Sequence, residues 1–265
     1  MIFATDLDKT IIYYKKYVND EIMSKVQLIE TIDNRPISYI SKKAKSNLEK
    51  ISKIINIIPT TTRSIDQFFN IKTFEFCKYA IVSNGGTILY NREKLPEWEN
   101  YINTILNDYR EDFEQIIKLL EKSDIITSTP IILDNIYVFS RVEDKEKSLE
   151  FLNGIVDEKK WNYCIQGKKL YIIPKQITKA NAVKFLKDKL NDDCLIVAGD
   201  SLMDQDMLDI ADIPMVPKHG ELYQKYNYNR DNIIYAREGI FAADDIVQNI
   251  IGYIEKERNN HEIFI

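Results

Sequence analysis

An α/β fold with a parallel sheet covered on both faces is what three features of the 265-residue sequence predict. Short, largely apolar runs recur at residues 1–4, 54–59, 79–83 and 194–198, as strands buried on both faces require. Helix-period segments lie between them, and strands alternating with helices call for a parallel sheet. Three of the runs lead into polar clusters, Asp6-Leu7-Asp8, Thr60-Thr61-Thr62-Arg63-Ser64 and Gly199-Asp200-Ser201. Such strand ends are where ligands of open α/β sheets bind.

Residues 1–4 make the first strand. Residues 26–32 and 36–40 are β-rich runs around the turn-forming pair Asp33-Asn34, which predicts a hairpin near the mouth of that strand. Ser41 opens a helix in which Leu48, Ile51, Ile54 and Ile55 recur at helical spacing. That helix passes into the second buried strand, 54–59, and the third, 79–83, ends in Asn84-Gly85-Gly86. The middle of the chain reads differently: one long helix over 97–122, a strand at 137–140, a helix at 144–157, and a hairpin of 163–165 and 169–173 around Gly167. These strands are more amphipathic than the first three, as a small antiparallel sheet with one wet face requires. The expected division is a parallel-sheet core of residues 1–90 and 175–265, with an inserted α/β domain at 91–174. The core resumes with a helix at 179–190, the buried strand 194–198, a helix at 204–211, strands at 213–216 and 232–235, and a terminal helix at 244–257.

An apolar fraction of 45%, with 16 Tyr and 11 Phe, is ample for a packed core and excludes disorder as the default. The net charge of −5 is spread along the chain, so there is no basic face for a nucleic acid. An acidic chain that binds phosphate must do so through a local cation. Cys77, Cys164 and Cys194 are too widely spaced for a zinc site or a disulfide framework and are read as core residues. The first residues carry no basic leader and no apolar run approaches a membrane span, so a cytoplasmic protein is expected.

In a strand-like stretch, side chains two apart face the same way, so Asp6 and Asp8 can converge on one point. An isolated Asp-x-Asp is more often a turn, but here Thr61, Asp200 and Lys179, which opens a helix, gather at the same sheet edge. That set suits phosphoryl transfer to a carboxylate. Asp6 is the candidate nucleophile, splitting hydrolysis into two displacements through an aspartyl-phosphate. Asp8 can protonate the leaving oxygen and later deprotonate water. Crowded carboxylates need a cation, and hard oxygen donors select Mg²⁺, here from Asp6, Asp200 and the Asp8 carbonyl. Thr61 and Lys179 supply donors to the phosphoryl oxygens, and Asp204 can orient Lys179 or a metal-bound water.

Asp6-Leu7-Asp8-Lys9-Thr10, Thr61-Thr62-Arg63-Ser64, Lys179 and Gly199-Asp200-Ser201-x-x-Asp204 resemble, in order, the four signature motifs of the haloacid dehalogenase superfamily. Asn84-Gly85-Gly86 and the insert between the second and third motifs resemble its type IIB branch, with an α/β cap. That branch includes Cof-type sugar phosphatases, sucrose-phosphate phosphatase and mannosyl-3-phosphoglycerate phosphatase. The resemblance implies a Rossmann-like core, a mobile cap and a Mg²⁺-dependent phosphatase acting on a small phosphorylated metabolite such as a sugar phosphate. Phosphotransfer to another acceptor and a catalytically idle, ligand-binding relative are the alternatives. Thr10, Thr62, Arg63, Asn84, Gly85 and Ser201 flank the reacting groups and make the expected substrate-binding set, although a surface ion pair is as good a reading of Arg63. Arg141 and Lys168 are candidates for contact with a sugar or a second anionic group, whereas His219 and His261 have no partner pattern. Three departures stand out: Lys9 and Thr62 where Gly is common, and Met203 where Asn is common. Lys9 is read as pointing to solvent. The long interval between the first two motifs makes the hairpin a flap over the site.

Overall fold

The computed structural model describes residues 1–262, with side chains to 259, so the His261 side chain lies outside the described residues. Five parallel strands form the central sheet, in the order Ile234–Ala236, Ile213–Pro217, Leu195–Ala198, Ile2–Thr5 and Asn56–Pro59. Ile2 pairs with Leu195 on one side and with Asn56 on the other, and Thr5 with Ala198 and Pro59. This register brings the carboxyl ends of three strands level. The apolar runs show why: Ile2 and Ala4 pack into one hydrophobic cluster with Ala182, Val183 and Leu186, while Phe3 packs into the other with Leu48 and Val247. Both faces of the sheet are buried, by helix Lys179–Leu190 on one side and by helices Lys42–Ile51 and Ala242–Glu262 on the other.

The third run differs from expectation. Tyr79–Val82 joins the central sheet through a single parallel bridge, Thr60 to Ile81, and pairs fully with Thr87–Tyr90 in a separate antiparallel sheet that Glu93–Lys94 completes. The predicted hairpin is present as Val26–Ile32 and Arg35–Ser41, turning at Asp33 and Asn34 with φ of 49° and 62°, the left-handed pair a two-residue hairpin demands. Its outer edge is closed by Tyr13–Tyr14. The helix from Ser41 stops at Ile51, and Ile54 is half exposed.

Between residues 96 and 174 a four-stranded antiparallel sheet forms, in the order Trp161–Gln166, Lys169–Pro174, Tyr137–Arg141 and Ile131–Leu133. The last strand escaped the sequence reading; it is a short partner made by the Asp134-Asn135 turn. The single helix expected over 97–122 is two, Pro96–Asn107 and Arg110–Glu121. Asp108 and Tyr109 donate to carbonyls three residues back, Ile105 and Leu106, and this tightened turn falls at Asn107-Asp108, where helix propensity is low. The apolar stripe of Trp98, Ile102, Ile105, Tyr109, Phe113, Ile116 and Leu120 nonetheless runs unbroken. Helix 204–211 is likewise shortened, to Gln205–Asp209 after a 3₁₀ turn at Leu202–Asp204. No described helix is long and apolar enough to cross a membrane.

Candidate active site

Asp6 leaves the first strand still tied to its neighbour, its N–H donating to the Ala198 carbonyl at 2.9 Å. Leu7 turns into the core, fully buried, so Asp6 and Asp8 face one cavity of about 530 Å³. They meet different partners there. Lys179 Nζ donates to Asp6 Oδ1 at 2.7 Å and to Asp204 Oδ1 at 2.6 Å. All three groups are nearly inaccessible to solvent. Thr10 Oγ1 lies 3.2 Å from the other Asp6 oxygen. Asp204 Oδ2 accepts from the N–H groups of Asp200 and Ser201 and from Ser201 Oγ, at 3.1, 3.0 and 2.9 Å. Gly199 makes this possible, since a Cβ there would stand 2.4 Å from that of Asp204.

Burial, then the nearby Asp204, raises the Asp6 carboxyl well above the usual range, against the pull of Lys179. Lys179 is raised too, because Asp204 and Asp6 outweigh its desolvation. Asp200 is pushed up to about 6 by burial, with Lys9 opposing.

Lys9 corrects the sequence reading. Its Nζ turns inward to Asp200 Oδ2 at 2.8 Å, while its backbone takes φ 67°, a left-handed conformation that glycine adopts without strain. His219 secures it: the Gly239 N–H donates to Nδ1, so Nε2 carries the proton and donates to the Lys9 carbonyl at 2.8 Å.

Arg63 is not a surface ion pair. It is 8% exposed and grips Asp8 with two parallel bonds of 2.8 and 2.9 Å, a bidentate geometry that fixes both partners. Its third nitrogen donates to Glu30 Oε1 at 2.7 Å, and Ser38 Oγ donates to the other Glu30 oxygen. Burial would raise Asp8, yet the Arg63 charge and hydrogen bonds hold it below the usual carboxylate range. Glu30 was missed in the sequence. The Val26–Ile32 strand shifts register on both sides of Glu30, and this bulge turns Ile29 and Glu30 inward together. The hairpin thus supplies a buried counter-charge beside the cavity.

The expected substrate-binding residues separate into two groups. Thr62, Arg63 and Ser201 line the cavity, and Thr10 touches Asp6. Asn84 and Gly85 stand behind Lys179 instead. Gly85, at φ 95°, lets the Thr178 carbonyl approach so closely that a Cβ would meet it at 2.2 Å, and Asn84 Nδ2 donates to the Ile177 carbonyl at 3.4 Å. Both seat the start of the Lys179 helix. Thr61, expected to donate to a phosphoryl oxygen, is outside the cavity lining: it is 1% exposed and its hydroxyl accepts from the Arg63 N–H at 3.2 Å, while its neighbour Thr62 faces the cavity.

The far wall of the cavity is the Trp161–Gln166 and Lys169–Pro174 hairpin, with Gln166, Lys169 and Tyr171 facing in. Gln166 Nε2 reaches Ser201 Oγ at 3.4 Å and the Tyr137 hydroxyl donates to the Thr62 carbonyl at 2.8 Å. Burial lowers the Lys169 ammonium below its ordinary value, with Asp8 opposing. Of the two expected cations, Lys168 pairs outward with Glu143 and Arg141 is exposed, outside the cavity lining.

A metal would find Asp6, Asp200 and Asp204, whose oxygens lie within 4.8 Å of one another. Lys179, the two N–H groups and Ser201 already engage both Asp204 oxygens. Asp6 meets only Lys179 and, at 3.2 Å, Thr10, and Asp200 only Lys9, so these two are the less committed carboxylates of the three.

The family model described as sucrose-6F-phosphate phosphohydrolase matches residues 1–253. A phosphoglycolate phosphatase from Sulfurisphaera tokodaii is 31% identical over 134 residues, 50% of this chain and 52% of its own length. The match thus spans about half of that curated relative. Among solved structures, the sucrose-phosphatase from Synechocystis sp. PCC6803, in complex with sucrose and phosphate, aligns with a TM-score of 0.66 at 14% identity, over 96% of this chain and 98% of that one. A haloacid dehalogenase-like hydrolase from Bacillus subtilis aligns with a TM-score of 0.59 at 18% identity, over 95% of this chain and 92% of that one. At these identities the likeness is one of fold.

Proposed function

We propose that this chain, which belongs to the sucrose-6F-phosphate phosphohydrolase family within type IIB of the haloacid dehalogenase superfamily, hydrolyses a small phosphate monoester of the sugar-phosphate kind. The observation that carries the reading is Lys179 Nζ bridging Asp6 and Asp204 at 2.7 and 2.6 Å, at the sheet edge where Asp8, Thr62 and Asp200 also line one cavity. A solvated first-turn lysine would have no such environment, and a cation there is not favoured by the helix dipole.

In this reading Asp6 attacks phosphorus, the bond to the leaving oxygen breaks, and Asp8 delivers a proton to that oxygen. Water then attacks the aspartyl-phosphate while Asp8 takes its proton, releasing phosphate and restoring Asp6. Arg63 favours the ionised Asp8 needed in the second half; the arriving phosphate dianion, a like charge, pushes Asp8 back toward the protonated form needed in the first. Lys179 holds Asp6 in line and neutralises part of the charge that develops on the phosphoryl group. Mg²⁺ fits the donors. Five carboxylates, Asp6, Asp8, Glu30, Asp200 and Asp204, meet only three cations within 2.8 Å, Lys9, Arg63 and Lys179, so a divalent cation would relieve the crowding. Asp6, Asp200 and the Asp8 carbonyl would hold the ion, which would polarise the phosphoryl oxygens. Residues 1–90 and 175–265 act as the core and 91–174 as the cap over the cavity.

Purified protein with Mg²⁺ releases phosphate from p-nitrophenyl phosphate, and Asp6→Asn abolishes the release. Full activity in Asp6→Asn would sink the mechanism.

A further inference from the structure

The cavity holds far more than a phosphoryl group: about 530 Å³ is the volume of a metabolite-sized site. Its cations fall into two sets. Lys9, Arg63 and Lys179 are each bound within 2.8 Å of a carboxylate of the reacting cluster, and Lys225 leans on Glu221 at 3.6 Å. Lys169 and Lys145 line the same cavity, and among the described residues neither has a carboxylate within 4.0 Å. Lys169 is the telling one. It is half-buried on the inner hairpin, paired in register with Arg141 and Gln166, so two further polar groups share its strand position. The carboxylate that acts on it most is Asp8, whose two oxygens are already gripped by Arg63, so among the described residues this half-buried ammonium has no hydrogen-bonded counter-charge of its own. Lys168, one residue earlier, shows the ordinary alternative, an exposed pair with Glu143. In a chain of net charge −5, Lys169, with the exposed Lys145 on the same cavity lining, offers a local field for an anion.

We propose that Lys169, assisted by Lys145, binds a second anionic group of the substrate, which is therefore a phosphate monoester that also carries a carboxylate or another phosphate away from the scissile bond. The inference rests on the phosphatase reading above. It assigns the reacting phosphoryl group to the Asp6 and Lys179 end and the second anion to the hairpin end. Gln166 and Gln224, also facing the cavity, are left to meet hydroxyl groups between the two.

The test is a matched series with the full chain and Mg²⁺: glucose 6-phosphate, 6-phosphogluconate, glucose 1,6-bisphosphate and p-nitrophenyl phosphate. The expected result is a kcat/KM at least about tenfold higher for one of the two doubly anionic substrates than for glucose 6-phosphate, carried mainly by KM. Preference for 6-phosphogluconate identifies a carboxylate, and preference for the bisphosphate a phosphate. Lys169→Gln then removes most of that preference, Lys169→Arg retains it and Lys145→Gln lowers it less. Phosphate release from p-nitrophenyl phosphate without any preference in the series overturns this inference alone. So does a preference that survives Lys169→Gln in a protein with unchanged melting temperature. No release from any of the four overturns the phosphatase reading.

Discussion

Lys179 and Lys9 both end on carboxylates of one site, yet they are held in opposite ways. Lys179 sits at the first position of a helix, 1% exposed in its side chain, between two carboxylates that are themselves buried. Lys9 leans in from a left-handed loop residue, 37% exposed, onto Asp200 alone. The first pair of contacts is part of the core: removing the cation strands two buried charges. In the second only the cation is at the rim: Lys9 is open to solvent and ions, whereas the Asp200 side chain is 4% exposed. Burial rather than distance separates the two, because 2.7 and 2.8 Å are equivalent hydrogen bonds.

Four measurements can break or sharpen that contrast. Lys179→Met carries the largest expected effect, a loss of about 3–5 kcal/mol in denaturant unfolding, from stranding buried charge, together with loss of phosphate release. A loss no greater than that of the rim lysine would break the comparison. Glu30→Gln tests the buried network on the other side. Arg63 keeps Asp8 but loses a charged acceptor, and about 1–3 kcal/mol should go, with Ser38→Ala costing less.

Lys9→Met should cost less than Lys179→Met, about 1–3 kcal/mol, because it leaves one buried carboxylate, Asp200, unpaired, while calorimetry finds Mg²⁺ bound several-fold tighter once a competing cation has left Asp200. Weaker binding would mean that Lys9 organises the acids instead of competing for them. The smallest effect is one of pH. Arg63 holds the folded Asp8 below its unfolded value of about 3.9. Its contribution to stability is therefore present above that value and lost as pH falls through the folded one. Melting curves between pH 5 and pH 3 should show the wild type losing stability that Asp8→Asn does not lose.

Much of the site was legible in the chain because its acids follow apolar runs directly. Asp6, Lys179, Asp200 and Asp204, from the first, third and fourth motifs, come together, whereas Thr61 of the second turns its hydroxyl to the Arg63 N–H. Asn84 and Gly85 were legible as a feature but not in their placement: a left-handed Asn-Gly turn looks the same whether it faces a cavity or seats a helix. Glu30 was illegible, since alternation along 26–32 carries no mark of the bulge that turns Ile29 and Glu30 inward together. Residue 168 drew attention over 169 for a related reason. Side chains alternate across a strand, so which of two adjacent lysines faces the cavity depends on the register of Lys169 with Arg141 and Gln166.

By itself the sequence determined the α/β class, the principal buried strands and the helices between them, and which strand ends carry acids, because apolar periodicity and strand-end motifs are local properties of the chain. Tertiary structure alone decided the partners: Lys9 with Asp200, 191 residues apart, Arg63 with Asp8 and Glu30, and Lys169 with no carboxylate within 4.0 Å among the described residues. Charges pair through space, and pairing energy depends on burial and on which groups the folded sheet edges bring within a few ångströms, neither of which is written in the neighbouring residues.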